Sequence, residues 1–197
     1  MSLTLFVFSA ASGAGKTTLI NRVMPNFPNV VYSVSATTRN PRSGEVDGVH
    51  YFFKTKEEFK KMIQENELAE WNEVHGNYYG TPKFFVEQKL KEGRDVALDL
   101  DVFGKINFDK VYPQAVGILI LPPSMEELEK RLKARGTETE ESLKLRMENA
   151  KKETEFATTQ GKYQHTIYNG DLEIAVAELN GIMEKYSSFK SSIQSGS

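Results

Sequence analysis

The chain has 197 residues, a little more than one average domain, and its 25 basic and 27 acidic residues give a net charge of −2. Its 39% hydrophobic and 26% charged residues are typical of a globular protein. The absence of cysteine excludes disulfides, thiolate metal sites and cysteine nucleophiles. The near-neutral charge and the lack of a run of ~18 apolar residues predict no nucleic-acid or membrane partner, and the absence of cysteine fits a cytoplasmic protein.

Strands and helices alternate along the chain. Leu3–Phe8 is a continuous apolar run that ends in a Ser/Ala/Gly cluster, which is typical of a strand buried on both faces of a parallel sheet. Further strands are predicted at 30–34, 95–101, 115–121 and 163–168, and helices at 16–24, 55–67, 82–92, 124–135, 139–158 and 171–186. This alternation predicts an α/β fold with a parallel sheet and right-handed crossovers.

Residues 35–80 interrupt the alternation, because Arg, Ser, Thr, Gly, Asp and Pro dominate the first part of this block. The block contains a short alternating stretch at 50–53 and a strand with a turn at 71–79. It is predicted to lie outside the parallel sheet, with Trp71 in a core. The last residues, 187–197, are rich in Ser and Gly and are predicted to form a disordered tail.

A phosphate-binding loop is predicted at 10–18, where Ala-Ala-Ser-Gly-Ala-Gly-Lys-Thr-Thr follows a buried strand and opens a helix. Its backbone N–H groups and the helix dipole favour a bound phosphate. Lys16 would reach the β- and γ-phosphates, and the Thr17 hydroxyl would complete a Mg²⁺ shell. Ala10 replaces the first glycine of the motif, which is tolerable at negative φ. The alternative, an ordinary glycine-rich turn, is disfavoured by the Lys-Thr pair and by the strand before it.

Arginine is scarce, with seven residues against 18 lysines. Arg39 and Arg42 lie in the irregular block, while Arg135 and Arg146 flank a Gly/Thr-containing segment at 136–141. Since arginine offers a planar fork for phosphate, these positions are compatible with two phosphate-gripping elements that meet over the loop. They are equally compatible with four solvated surface arginines, and spacing does not decide between the two.

Several segments of this chain resemble those of guanylate kinases, in the family's order and spacing, from the phosphate loop to about residue 185. They are Ser33–Gly48 with Tyr51-Phe52, Glu70-Trp71, Gly76–Thr81, Leu98–Asp101, Leu121–Ser124, and Arg135–Ser142 with Arg146. The resemblance implies a P-loop NTPase-like three-layer core (1–34, 86–125 and 157–186), a small mixed α+β GMP-binding domain (35–85) and a helical lid (126–156).

The resemblance also implies the roles of individual residues. ATP would contact the loop and two residues beyond it: Ala11, Ser12, Gly13, Ala14, Gly15, Lys16, Thr17, Thr18, Arg135 and Asn169. GMP would contact Ser35, Arg39, Arg42, Tyr51, Glu70, Tyr79, Gly80, Thr81, Asp99 and Asp101. The catalytic residues would be Lys16, Arg39, Arg42, Asp99, Arg135 and Arg146. Mg²⁺ would be held by Thr17, with Asp99 acting through a water molecule.

Within the second set, Glu70, Thr81 and Asp101 would contact guanine and the others mainly its phosphate. Guanine carries adjacent donors at N1 and N2, which suit paired carboxylates, whereas adenine offers no such edge. Of the adjacent tyrosines 78 and 79, strand alternation puts only one into the site.

The chain departs from the family pattern at a few positions: Phe103 stands where glutamine is common, Thr81 replaces serine, and Gly170 replaces aspartate. None of them removes a reacting group.

Two other functions fit the residues less well. Non-catalytic guanylate kinase-like scaffold modules typically lose the loop lysine and the lid arginines, which this chain retains. A kinase for another acceptor, such as a ribosyl bisphosphate, is disfavoured by Glu70 and Asp101. The resemblance therefore predicts an ATP:GMP phosphotransferase that needs Mg²⁺ and no obligatory protein partner.

Overall fold

Two sheets form the framework of the computed structural model, which describes residues 3–74, 76–134 and 139–188. In chain order the elements are β1 (Leu5–Ala10), α1 (Lys16–Val23), β2 (Val30–Tyr32), β3 (Ala36–Thr37), β4 (Phe52–Phe53), α2 (Lys56–Gln64), β5 (Leu68–Val74), β6 (Asn77–Pro82), α3 (Lys83–Lys91), β7 (Asp95–Asp99), α4 (Val102–Val111), β8 (Val116–Leu121), α5 (Met125–Ala134), α6 (Glu140–Gln160), β9 (His165–Tyr168) and α7 (Leu172–Tyr186).

The larger sheet is parallel, in the order β2-β7-β1-β8-β9. Side chains of β1 alternate between its faces: Phe6 and Phe8 pack with α1 and α7, whereas Leu5 and Val7 pack with α3 and α4. Helices α5 and α6 pack against β8 through a third apolar cluster. This three-layer α/β fold is the one predicted. Ligands of such sheets bind outside the carboxyl ends of the strands, where β1 ends beside Asp99 of β7.

The smaller sheet, in the order β4-β3-β6-β5, contains the irregular block and lies outside the parallel sheet, as predicted. Helix α2 packs its Phe59 and Met62 against this sheet, together with Leu68. The strand predicted at 71–79 is in fact two antiparallel strands, β5 and β6. The core prediction for Trp71 is wrong: its side chain is 42% exposed, because Glu70 points into the molecule and its neighbour on the strand must point out.

Helix α4 has no counterpart among the predicted elements. Asp101 caps its first turn by accepting a hydrogen bond from the Gly104 N–H at 2.6 Å. The buried positions of this helix include a glycine and a lysine beside Val102 and Phe108, so the usual apolar periodicity is absent. Other helices begin at capping side chains: Thr55 forms a capping box with Glu58, and Asp171 accepts the N–H groups of Glu173 and Ile174.

Asp95 ties the two ends of the described chain to the middle of the sheet. One carboxylate oxygen accepts the Thr4 N–H at 2.8 Å, and the other accepts the Ser187 hydroxyl and the N–H and hydroxyl of Ser188, each at 2.9 Å. Ser187 and Ser188, assigned from the sequence to the disordered tail, are therefore fixed; residues 189–197 lie outside the described residues. No helix in the described residues is both long and apolar enough to span a bilayer.

Candidate active site

The phosphate-binding loop joins β1 to α1. Gly13 and Gly15 both have φ +89°, a left-handed conformation that glycine adopts without a Cβ penalty. Ala10 lies at the end of β1 without a positive φ, so alanine fits at this position of the motif. The predicted loop residues line one concave surface: Ala11, Ser12, Gly13, Ala14, Gly15, Lys16, Thr17 and Thr18.

Asn169 lies behind this loop rather than on its open side. Its side-chain amide donates a hydrogen bond to the Ala14 carbonyl at 2.8 Å, and the residue is buried. A Cβ at Gly15 would lie 2.5 Å from the same amide nitrogen. Arg131, which the sequence did not single out, donates to the carbonyls of Asn169 and Gly170 at 2.8 and 3.1 Å. Asn169 therefore holds the backbone of the loop, and Arg131 holds the backbone of Asn169.

Lys16 forms an ion pair with Asp99 at the end of β7. The register of the sheet explains the contact, because Asp99 pairs with Phe8, two residues before β1 ends at the loop. The Lys16 side chain is 19% exposed and that of Asp99 is 47% exposed, so both can be reached by a ligand. Thr17 is exposed in the first turn of α1.

A second pocket lies between the two sheets and shares Asp99 with the loop site. It is lined by Ser35, Tyr51, Glu70, Asn72, Val74, Tyr79, Gly80, Asp99, Leu100 and Asp101. Seven of these ten residues were predicted to bind GMP. Tyr79 faces the pocket, while Tyr78 stacks on Phe59 with ring centroids 5.4 Å apart, so only one of the adjacent tyrosines enters the site, as alternation predicts.

Two carboxylates converge inside this pocket. Glu70 is buried and accepts a hydrogen bond from the Thr81 hydroxyl at 2.6 Å. Asp101 is exposed, and an added Cβ at Gly104 would lie 3.0 Å from Glu70 Oε2 and 3.2 Å from Asp101 Oδ1. Burial raises the pKa of Glu70 to about 7; Thr81 opposes the shift and the Asp101 charge adds to it. The pocket thus holds two carboxyl groups, of which the buried Glu70 is costly to ionise without a ligand.

We expect Glu70→Gln to stabilise the free protein above neutral pH. The fold raises the Glu70 pKa from 4.5 to about 7. Ionisation of this carboxyl group therefore lowers the free energy of unfolding progressively as the pH rises through this interval, and the loss of stability is small near pH 5. Urea unfolding should give the variant a free energy of unfolding higher by about 1–3 kcal/mol at pH 8 and by less than about 1 kcal/mol at pH 5. The exposed Glu73→Gln on the same strand should show no such pH dependence. A constant difference between pH 5 and 8 would contradict the raised pKa.

Asn72 is a pocket residue that sequence reasoning missed. Its Oδ1 accepts the Glu73 N–H at 2.8 Å, which turns its Nδ2 toward Asp101 Oδ2 at 3.4 Å. The available signal was strand alternation, since Asn72 lies two residues after Glu70 and shares its face of β5.

The Arg39 side chain is fixed by contacts with neighbouring residues rather than exposed to solvent. Its guanidinium donates to Glu45 Oε1 at 2.8 Å and lies 5.4 Å from the centre of the Tyr51 ring, while Glu45 Oε2 accepts the Arg42 N–H at 2.7 Å. Arg39 lowers the pKa of Glu45 to about 2. The Arg39 side chain is 16% exposed, whereas Arg42 is exposed. Glu45 is a second residue that sequence reasoning left out of the site.

Helix α6 reaches the loop from the other side. Arg146 donates to the Ser12 hydroxyl at 3.3 Å, and Glu153 accepts the Ser12 backbone N–H at 2.9 Å. Arg135, the other predicted lid arginine, lies outside the described residues. The structure therefore brings Arg146 to the phosphate loop, and it adds Glu153, which the sequence did not suggest.

A parallel sheet with this loop after its first strand defines the class of P-loop nucleotide-binding α/β proteins. Within that class the chain belongs to the guanylate kinase family, whose model, described as Guanylate kinase, matches residues 2–186. The chain is 45% identical to a guanylate kinase of Desulfitobacterium hafniense over 91% of this chain and 88% of that protein. It is 48% identical to one of Clostridium perfringens, with 91% and 82% covered.

A solved structure gives the same result for the fold. The chain is similar to the crystal structure of guanylate kinase from Anaplasma phagocytophilum, with a TM-score of 0.70 and 29% identity, covering 96% of this chain and 89% of that one. The family resemblance predicted from the residues is confirmed.

Proposed function

We propose that the protein catalyses reversible, Mg²⁺-dependent transfer of the γ-phosphoryl group of ATP to GMP, giving ADP and GDP, and that dGMP also serves as acceptor. One observation carries the proposal: Asp99 lines the carboxylate-bearing pocket and is also the ion-pair partner of the phosphate-loop lysine. The two pockets therefore meet at one side chain, which is the arrangement needed to pass a phosphoryl group between two nucleotides.

The acceptor nucleotide would be recognised at both of its ends. Glu70 and Asp101 would accept hydrogen bonds from guanine N1–H and N2–H₂, with Thr81 orienting Glu70 through its 2.6 Å hydrogen bond. At the other end, Ser35, Arg39, Arg42, Tyr51 and Tyr79 would hold the phosphate. The edge-on contact of Tyr51 with Tyr79, with ring centroids 6.2 Å apart, supports this grouping.

On the donor side, the loop N–H groups and Lys16 would hold the ATP phosphates. The residues at the meeting point also fit Mg²⁺, because this ion prefers oxygen ligands and is commonly bound by one or two carboxylates together with substrate phosphates. Thr17 and, through water, Asp99 would hold it. When bound, the ion would neutralise charge on the phosphates.

The reaction needs no general base, because the acceptor phosphate is already anionic at neutral pH. Rate acceleration would then come from positioning the two phosphates and from neutralising their charge. We propose Lys16, Arg39, Arg42, Arg135 and Arg146 as the neutralising cations; the ion pair of Lys16 with Asp99 and the contact of Arg146 with Ser12 support two of them. The two pockets in a single chain support activity without an obligatory protein partner, and the composition favours a cytoplasmic location.

A coupled assay of ADP release tests the function most directly. With ATP and Mg²⁺ in excess, GMP and dGMP should be turned over, whereas AMP, CMP and UMP should give much lower kcat/KM. Activity confined to another acceptor, or no acceptor-dependent ADP release at all, would refute the proposal.

We further propose that residues 35–85 act as the GMP-binding domain and 126–156 as the lid, and that both close only when both nucleotides are bound. Closure would exclude water, so that ATP is not hydrolysed. Helix α6 continues unbroken past residue 156, so the lid would move with part of this helix rather than about a break in it.

Hydrogen exchange checks this closing movement. GMP together with a non-hydrolysable ATP analogue should slow amide exchange in segments 35–74 and 139–149 on the order of tenfold relative to either nucleotide alone. Helix α7, on the far side of the core, serves as the internal control and should not change. Equal exchange with one nucleotide and with both would contradict closure on the ternary complex.

A further inference from the structure

Two side chains of α6 contact the same residue of the phosphate loop. Arg146 reaches the Ser12 hydroxyl at 3.3 Å, and Glu153 accepts the Ser12 backbone N–H at 2.9 Å. The two residues are seven positions apart, which is close to two helical turns and puts them on one face of the helix. One cation and one anion of α6 are therefore fixed against a single residue of the loop.

The stretch of α6 around Glu153 is the packed part of the helix. Ala150 and Ala157 are buried and belong to an apolar cluster that contains Ala11 of the loop and Val102 of α4. Phe156 contacts Phe103 with ring centroids 4.4 Å apart. The N-terminal turns of α6 are more open; Leu145, for example, is 58% exposed.

Arg146 lies at the junction between the packed and the open parts. Apolar packing fixes how close the helix lies to the core but has little directional preference, whereas a hydrogen bond to a backbone N–H fixes rotation and register. Glu153 supplies such a bond seven residues from Arg146. Burial raises the pKa of the Glu153 carboxyl, so the fold keeps a carboxylate here against a desolvation cost.

We propose that Glu153 is a positioning residue, which by accepting the Ser12 N–H sets the register of α6 and thereby the position of the Arg146 guanidinium over the phosphate loop. The inference rests on the proposed phosphoryl transfer, in which Arg146 is one of the charge-neutralising groups. Glu153 itself does not touch the reacting atoms in this role.

A double-mutant cycle tests the proposal. Glu153→Ala should lower kcat about tenfold or more with a smaller change in the KM for ATP, because a displacement of the order of 1 Å of a group that acts in the transition state is costly. Glu153→Gln retains a carbonyl oxygen for the Ser12 N–H and should recover most of this loss. In an Arg146→Ala background, Glu153→Ala should change kcat less than about twofold.

The matched control is Glu155→Ala, which removes an exposed carboxylate from the same helix and should leave kcat unchanged. A structural defect would lower kcat by the same factor with and without Arg146, and that result would overturn the proposal. So would a Glu153→Ala variant with unchanged kcat or with a lower KM for ATP, since the carboxylate would then be inert or would compete with nucleotide phosphate.

Amide exchange at Ser12, followed by NMR, provides a readout that does not depend on activity. The Ser12 amide should exchange on the order of tenfold faster in Glu153→Ala than in the unmodified protein and in Glu153→Gln. Unchanged exchange would refute the contact even if the enzyme were active as proposed. Conversely, a protein that showed the exchange difference but no GMP-dependent ADP release would retain the contact and refute the proposed function.

Discussion

Lys16→Ala should lower kcat for transfer to GMP by about 10²-fold or more, with the fold intact. Lys16 pairs with Asp99 at the meeting point of the two pockets and is not part of an apolar cluster, so its loss removes charge rather than packing. Catalysis that depends on charge neutralisation is sensitive to the loss of a cation that contacts the reacting phosphates.

The measurement is steady-state ADP release at saturating GMP and ATP, together with thermal unfolding. The matched control is Lys110→Ala. Lys110 is an exposed residue of α4, and this variant should keep its activity. Activity of Lys16→Ala within about threefold of the unmodified protein would mean that the loop does not bind the donor phosphates as proposed.

Glu70→Gln and Arg42→Lys should separate base recognition from phosphate binding. In Glu70→Gln, the Thr81 hydroxyl, which donates to Glu70 Oε1, holds the amide oxygen in that place. The amide nitrogen is then turned toward the guanine donors, which it repels. We expect a raised KM for GMP and a preference for GMP over AMP that is smaller by about 10–200-fold, corresponding to ~1–3 kcal/mol.

Arg42→Lys should instead weaken GMP and AMP about equally, because a point charge replaces a bidentate fork at a phosphate that both nucleotides carry. The check is kcat/KM for GMP and AMP in both variants. If Glu70→Gln left the GMP-to-AMP ratio unchanged and Arg42→Lys altered it, the division between base recognition and phosphate binding would be reversed.

The phosphate loop was predictable because the residues that determine its conformation are adjacent in the sequence. A buried strand, two glycines with positive φ and a Lys-Thr pair occupy adjacent positions, so the geometry of residues 10–18 follows from their own sequence. The two carboxylates of the acceptor pocket were predictable only through the family resemblance. Glu70 and Asp101 are 31 positions apart, and the packing of α4, which Asp101 caps, against β5 brings them together.

Asn72, Glu45 and Glu153 show which site residues sequence reasoning did not supply. Each acts through a hydrogen bond to a residue of the site rather than by a motif of its own. A lone Glu on a loop or helix gives no distinguishing pattern, and the signal for Asn72 was only the strand face that it shares with Glu70. Helix α4 was not predicted for a related reason. Its first turn is capped by Asp101 and lies next to the carboxylate pocket, so a glycine, Gly104, occupies a buried position where an apolar residue would have indicated a helix.

The hydrogen bonds of Asp95 with both ends of the described chain have a consequence for folding during synthesis. The carboxylate lies on β7, and three of its four hydrogen bonds come from residues 187 and 188, so one of its oxygens stays without these donors until α7 has been synthesised. A buried carboxylate without its partners is strongly destabilising. Strand β7, which carries Asp99 of the site, is thus secured only after α7 has been synthesised, and a nascent chain lacking α7 would hold this strand weakly.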